Sequence, residues 1–199
     1  MTQIRAKIRQ ILDAEAAAIS AIDVSDGYEA ALEAMRSCPG KIVTTGIGKA
    51  GFIAQKFAAV LCSTGTQAVF IHPAEAAHGD LGLIGAGDVI VAFSTSGKTR
   101  EVLEFIELSR HLTKTTVIGV TSHPETELRR LADIVLDMGV IQEPCPLGLT
   151  PSASMAVMGA IGDALALVLM EQKSITSADY ALRHHGGYLG HKARLENRD

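Results

Sequence analysis

Ile4, Ile8, Ile11, Leu12, Ile19 and Ile22 recur at intervals of three, four and seven among polar neighbours. That spacing lines apolar side chains along one helical face, so residues 2–22 are predicted to form an amphipathic helix. Asp26 followed by Glu29 resembles a capping box that opens a second helix, which Pro39-Gly40 stops. Beyond Gly40 the pattern changes. Short apolar runs rich in β-branched residues stand at 41–45, 67–71, 88–94, 115–121 and 133–138, with helical stretches between them at about 50–61, 99–111 and 125–131. Near-continuous apolar strands alternating with helices predict an α/β fold, a five-stranded parallel sheet covered on both faces.

After the fifth run comes a loop, 139–151, whose three prolines forbid continuous regular structure. Residues 152–172 are then predicted to form a helix that is apolar on nearly every side, which implies burial in a core or at a subunit interface, with the interface favoured in so short a chain. The tail is polar, with Gly186-Gly187 following His184 and His185. No repeat or second domain is visible. The expected organisation is one domain over 1–199: N-terminal helices 1–38, a core 40–172 and an active-site segment 173–199.

Composition narrows the class. The 199 residues are 47% hydrophobic and 20% charged with a net charge of −4, which fits a globular protein and argues against a nucleic-acid binder, which would carry a basic stripe. Cys38, Cys62 and Cys145 are too few and too scattered for a disulfide framework, so a reducing cytoplasm is expected. Charges interrupt the N-terminus, and Asp163 interrupts the longest apolar run, so neither a signal peptide nor a membrane span is expected.

Two loops look like nucleotide motifs and fail. Gly46-Ile47-Gly48-Lys49-Ala50-Gly51 matches GxGxxG between a strand and a helix, but the next strand ends in Phe70-Ile71-His72-Pro73 with no carboxylate for a ribose. Gly97-Lys98-Thr99 ends like a P-loop, but Ala92 stands where the first glycine is needed. What survives is the physics that both motifs share. Each loop places glycine and small residues at a helix N-terminus, where free N–H groups and the helix dipole favour an anion. Ser94, Thr95, Ser96 and Thr99 suit a phosphate better than a simple helix cap, which needs one hydroxyl.

SxSGxT after one strand and GxGKxG after an earlier one resemble the sugar isomerase (SIS) domain family, which implies a flavodoxin-like three-layer sandwich that binds phosphosugars. The stretches "HPAEAAHGDLG" (72–82), "EPCPLGLTP" (143–151) and "SADYALRHHGGYLG" (177–190) are similar to arabinose-5-phosphate isomerases of the KpsF/KdsD type. Those enzymes interconvert ribulose 5-phosphate and arabinose 5-phosphate at the entry to the Kdo sugar of lipopolysaccharide and some capsules. Many carry two CBS domains after the catalytic one, so a chain ending at Asp199 is expected to be a catalytic-domain version. The resemblance also implies a homotetramer with active sites at subunit interfaces.

Aldose–ketose isomerisation needs an anchored phosphate, an opened ring, a base at C1/C2, stabilised enediolate oxygens and exclusion of water. The loop 94–99 would be the anchor, joined in the substrate set by Gly48, Gly65 and Thr66. By resemblance Glu101 is the general base, with a carboxyl expected to be raised by partial burial. His184 matches the family's "SHPGG" histidine, and its neighbour His185 stands where that pattern has proline, so the acting imidazole is open between them. Lys49 would steady the enediolate or contact phosphate, His78 would reach the sugar hydroxyls, and Glu143 would lie near the site. Lys98 is expected to be a solvated bystander. His72 and His78 lack the i, i+4 spacing of a helical zinc pair. The resemblance implies that His72 could take an inhibitory zinc, and that the reaction needs no metal or other cofactor. Two alternatives stay open: a 6-phospho-3-hexuloisomerase-like enzyme and a non-catalytic phosphosugar-binding regulatory protein.

Overall fold

The computed structural model describes residues 2–195. Met1 and residues 196–199 of the expected terminal segments lie outside the described residues. Five parallel strands, β1 (Ile42–Gly46), β2 (Ala68–Phe70), β3 (Val89–Phe93), β4 (Thr116–Thr121) and β5 (Ile134–Asp137), form one sheet in the order β2-β1-β3-β4-β5. The register places Ile42 beside both Ala68 and Val89. The strands begin and end within two residues of the apolar runs, because a strand covered on both faces leaves no polar alternation to blur its limits.

The helices are α1 (Gln3–Ser20), α2 (Asp26–Arg36), α3 (Gly48–Ser63), α4 (Pro73–Ala76), α5 (Arg100–Leu112), α6 (Glu127–Leu131), α7 (Ala153–Gln172), α8 (Ser177–Arg183) and α9 (Gly187–Leu195). Side-chain alternation along β3 divides the core in two. Val89, Val91 and Phe93 pack with Phe57 of α3, Met35 of α2 and Val157, Ile161 and Leu165 of α7. Ile90 and Ala92 face Val102, Phe105 and Ile106 of α5 and Leu128 of α6. Phe57 meets Phe93 edge-on at 5.8 Å between centroids, a geometry that adds to the burial of both rings.

One expectation is corrected. Asp26 does not cap α2: Ser25 occupies the cap position without a side-chain cap bond, and Asp26 is already helical. One face of α7 belongs to the chain's own core, which buries Val157, Met158, Ile161, Leu165 and Leu169, while Leu167 and Val168 on another face stay exposed. By length and composition α7 could span a membrane, but half of its most apolar window is already buried in the domain. The amphipathic α1 forms as expected and lies along α7, yet buries no residue fully and leaves Ile4 73% exposed.

Asp88 ties the amino edge of the sheet together. Its carboxylate accepts from the Lys41 backbone N–H at 2.9 Å, the Lys41 ammonium at 2.7 Å and the Gly85 N–H at 2.7 Å. Burial pushes the Asp88 carboxyl up, but these bonds outweigh it and hold the group below the ordinary aspartate range.

Candidate active site

Chain order and sheet order diverge between β1 and β3, which are neighbours although β2 follows β1 in sequence. In an open parallel sheet the carboxyl ends of two such strands part into a crevice. Here that crevice is a cavity of about 250 Å³ lined by Ile47, Lys49, Phe93, Ser94, Thr95 and Ser96, among others, with Pro151 and Met155 closing one side.

The loop after β3 is wound tightly. Ser94 Oγ lies 2.9 Å from Thr99 Oγ1 and accepts the Gly97 N–H at 3.1 Å, and Ser96 Oγ accepts the Lys98 N–H at 3.3 Å. Thr99 sits at the N-cap position of α5 but makes no side-chain cap bond, so its hydroxyl is not spent on the N–H groups that open the helix. The first N–H groups of α5 therefore stay available to an anion. Gly97 holds φ +62, and a Cβ there would collide with Thr126 Oγ1 and lie 2.7 Å from Thr126 Cβ. Only glycine fits both the left-handed backbone and that close approach.

Around this loop stand several expected residues. Gly48 opens α3 with φ +60, and Lys49 is exposed in its first turn, at the cavity wall. Glu101 lies in the first turn of α5 and is exposed, so the partial burial expected of it is not supplied by this chain alone. His72 caps α4 beyond β2, and His78 follows that helix, exposed; α4 packs on α5, which brings this turn to the same edge. Lys98 is exposed, as expected of a bystander.

His72 is a poor metal site within the chain. Its Nδ1 is buried without a hydrogen-bond partner, but among the described residues no three His, Cys, Asp or Glu side chains cluster to hold an ion.

Glu143 is spent on the backbone. Its carboxylate accepts the N–H groups of Ser152 (2.8 Å), Ala153 (2.9 Å) and Ser154 (3.2 Å), closing the start of α7. Burial pushes the carboxyl up, and the bonds from the start of α7 outweigh this and hold it below the ordinary glutamate range. Its reach is to the cavity wall, since Pro151 and Met155 flank the N–H groups it holds.

Three expected residues lie at the other edge of the sheet. Thr66 precedes β2, accepts from the Lys173 ammonium at 2.9 Å and shares a small cavity with Gly65, Lys41 and Lys173. A Cβ on Gly65 would collide with Ile175 and come within 3.6 Å of the Arg183 guanidinium, so α8 and His184 stand beside the same turn. Helix α7 starts at the cavity and ends at Lys173; its 20 residues rise about 30 Å. One chain thus gathers Lys49, Ser94–Thr99 and Glu101 at one edge, and Gly65, Thr66 and His184 at the opposite edge.

His184 is firmly oriented. Its ring stacks on Tyr180 at 3.9 Å with an interplanar angle of 10°, and its Nδ1 lies 3.0 Å from the Tyr180 carbonyl. A carbonyl can only accept, so Nδ1 carries the proton and Nε2 remains for other chemistry. His185 is exposed. Sequence reasoning missed Lys173, whose partner Thr66 is 107 residues away, and a periodicity carries no signal of that pairing.

The fold and this crevice define an open parallel α/β sandwich with an anion-cradling loop at the carboxyl ends of its strands. Residues 35–168 match the SIS domain, and the chain belongs to that family. It is 42% identical over 176 residues to arabinose 5-phosphate isomerase KdsD of Pseudomonas aeruginosa, covering 88% of this chain and 54% of that protein. Against the Escherichia coli K12 enzyme of the same name it is 40% identical over 193 residues, covering 96% of this chain and 58% of that one. The chain therefore spans a little over half the length of these relatives. Among solved structures, a candidate phosphosugar isomerase involved in capsule formation from Bacteroides fragilis superposes with a TM-score of 0.91 at 42% identity, covering 93% and 99% of the two chains. An Escherichia coli CFT073 protein in complex with arabinose 5-phosphate superposes with a TM-score of 0.87 at 35% identity, covering 92% and 100%.

Proposed function

We propose that this protein is an aldose–ketose isomerase that interconverts D-ribulose 5-phosphate and D-arabinose 5-phosphate through an enediol. The observation that carries the reading is the crevice itself: the hydroxyl and N–H cradle of Ser94–Thr99 opens at the first turn of the helix that bears Glu101. The two relatives named arabinose 5-phosphate isomerase, and the neighbour solved with that sugar phosphate, support the choice of sugar.

The phosphate sits against the loop and the start of α5, where N–H groups and the helix dipole favour its charge. Glu101 takes a proton from C1 of the ketose and returns one at C2, with the enediolate between. Lys49, exposed on the opposite wall, steadies the developing oxyanion. Gly48 lets the backbone approach the ligand, and His78 reaches the sugar hydroxyls. His184, with Nε2 free, opens the ring or moves protons among the oxygens. It stands at the far edge of its own chain, so it serves the crevice of another copy together with Gly65 and Thr66. A homotetramer with shared sites, working in the cytoplasm without a required metal, is the assembly this reading calls for. Its product would feed Kdo synthesis.

Purified protein mixed with ribulose 5-phosphate is expected to form arabinose 5-phosphate, followed by NMR. Tight binding without any aldose product would overturn the enzyme reading in favour of a phosphosugar sensor.

A further inference from the structure

The phosphate loop is stapled from its far side. The Thr95 carbonyl accepts the Ser122 N–H at 3.1 Å and the Thr121 hydroxyl at 3.3 Å, and His123 Nδ1 lies 3.1 Å from the same oxygen. All three donors come from the end of β4 and the turn after it. Because a carbonyl only accepts, His123 must carry its proton on Nδ1. We infer that His123 is a positioning residue for the anion site, acting through the peptide that joins Thr95 to Ser96.

A trans peptide holds its C=O and N–H in one plane, pointing in opposite directions. No peptide among the described residues is cis, so turning the Thr95 carbonyl toward β4 turns the Ser96 N–H the other way. In the sheet β3 lies between β4 and β1, and the cavity lies on the β1 side, walled by Ile47 and Lys49. The staple therefore aims the Ser96 N–H at the place where an anion would sit. His123 is itself held: Arg129 Nε donates to the His123 carbonyl at 2.6 Å, and the Arg129 guanidinium pairs with Asp137 at 2.8 Å. This fixes one donor of the cradle before a ligand arrives, which spares the ordering cost at binding. His123 is exposed and does not line the cavity, so it acts through Thr95 and not on the ligand.

The inference rests on the phosphosugar reading of the crevice. Its test compares His123→Ala with His123→Asn, because the asparagine Nδ2 can replace the Nδ1 donor. Calorimetric titration with arabinose 5-phosphate, repeated with inorganic phosphate, reads the effect. His123→Ala is expected to weaken both ligands about five- to tenfold, the net worth of roughly one hydrogen bond. His123→Asn is expected to stay within about twofold of the wild type, and kcat for ribulose 5-phosphate to stay within about twofold in both variants. Unchanged affinity in His123→Ala, or equal weakening in the two variants, would overturn the staple. Absent turnover in the wild type would sink the isomerase reading alone, since the two affinities still report on the loop.

Discussion

The Glu143 carboxylate accepts the Ser152 backbone N–H at 2.8 Å, and through it and its two neighbours holds the start of α7 in place. A charged acceptor at that end matches the helix dipole as well as the orphan N–H groups. Glu143→Ala is expected to cost about 1–2 kcal/mol of unfolding free energy, measured by urea titration. Turnover should fall with it, because Pro151 and Met155 wall the cavity at this helix start. Full stability in the variant would remove the cap from the account and return Glu143 to a direct chemical role.

Glu101→Gln keeps the shape of the side chain and removes the base. Turnover is expected to fall by at least about a thousandfold while the affinity for arabinose 5-phosphate stays close to wild type. Activity within tenfold of the wild type would dismiss Glu101 as the base.

Much of this architecture was legible along the chain. Val89 to Phe93 reads as a strand because both faces are buried, and the structure sends Val91 and Ile90 to opposite halves of the core. The loop at Ser94–Thr99 was legible because hydroxyls crowd around a glycine at a strand end. The Asp26 cap was misjudged by one residue, since Ser25 and Asp26 are both good cap types and only the backbone decides between them. The polar tail hid α8 and α9, whose few buried residues, Ala181, Gly190 and Ala193, give no apolar period. Least legible was the separation of Thr66 and His184 from Glu101. Motif order along a chain does not say which edge of a sheet each motif reaches.

Cys145 offers a chemical probe of the proline-rich loop. The Thr150 hydroxyl, and then the backbone N–H groups of Thr150, Leu149 and Leu147, hold its thiol down to about 6. A thiol lowered in this way is mostly thiolate at neutral pH, so its alkylation by iodoacetamide should be nearly flat from pH 7 to 9 and fall off below about 6. Mass spectrometry of modified peptides would follow it against the exposed Cys62. A rate for Cys145 that climbs steadily through pH 8–9 would contradict the cradle.

Asp88 sets a stability limit at acid pH. Its folded carboxyl is held below the unfolded value, so its contribution is present above about pH 4 and is lost as pH falls through the folded value. Asp88→Ala should cost about 2–4 kcal/mol at pH 7, at the lower end because Lys41 remains 30% exposed and can reach water. The gap between variant and wild type should narrow below about pH 4 as the wild-type carboxylate is protonated. A gap that does not change with pH would mean that shape, and not charge, holds this corner.

Separation of the two halves of the site makes the sharpest test. Glu101 belongs to the edge with the cavity, and His184 to the edge near Gly65, with α7 spanning about 30 Å between them. If each crevice draws His184 from another copy, Glu101→Gln and His184→Ala should each be nearly inactive alone, and mixed oligomers of the two should regain activity. A mixed oligomer can pair an intact Glu101 from one chain with an intact His184 from another. Co-refolding equal amounts should restore up to about a quarter of wild-type turnover, as the chance that both contributors at a random site are unmutated is one half times one half. No recovery in a mixture that light scattering shows to be assembled would place both residues in service of the same chain, and would require the tail to move far from where this structure holds it.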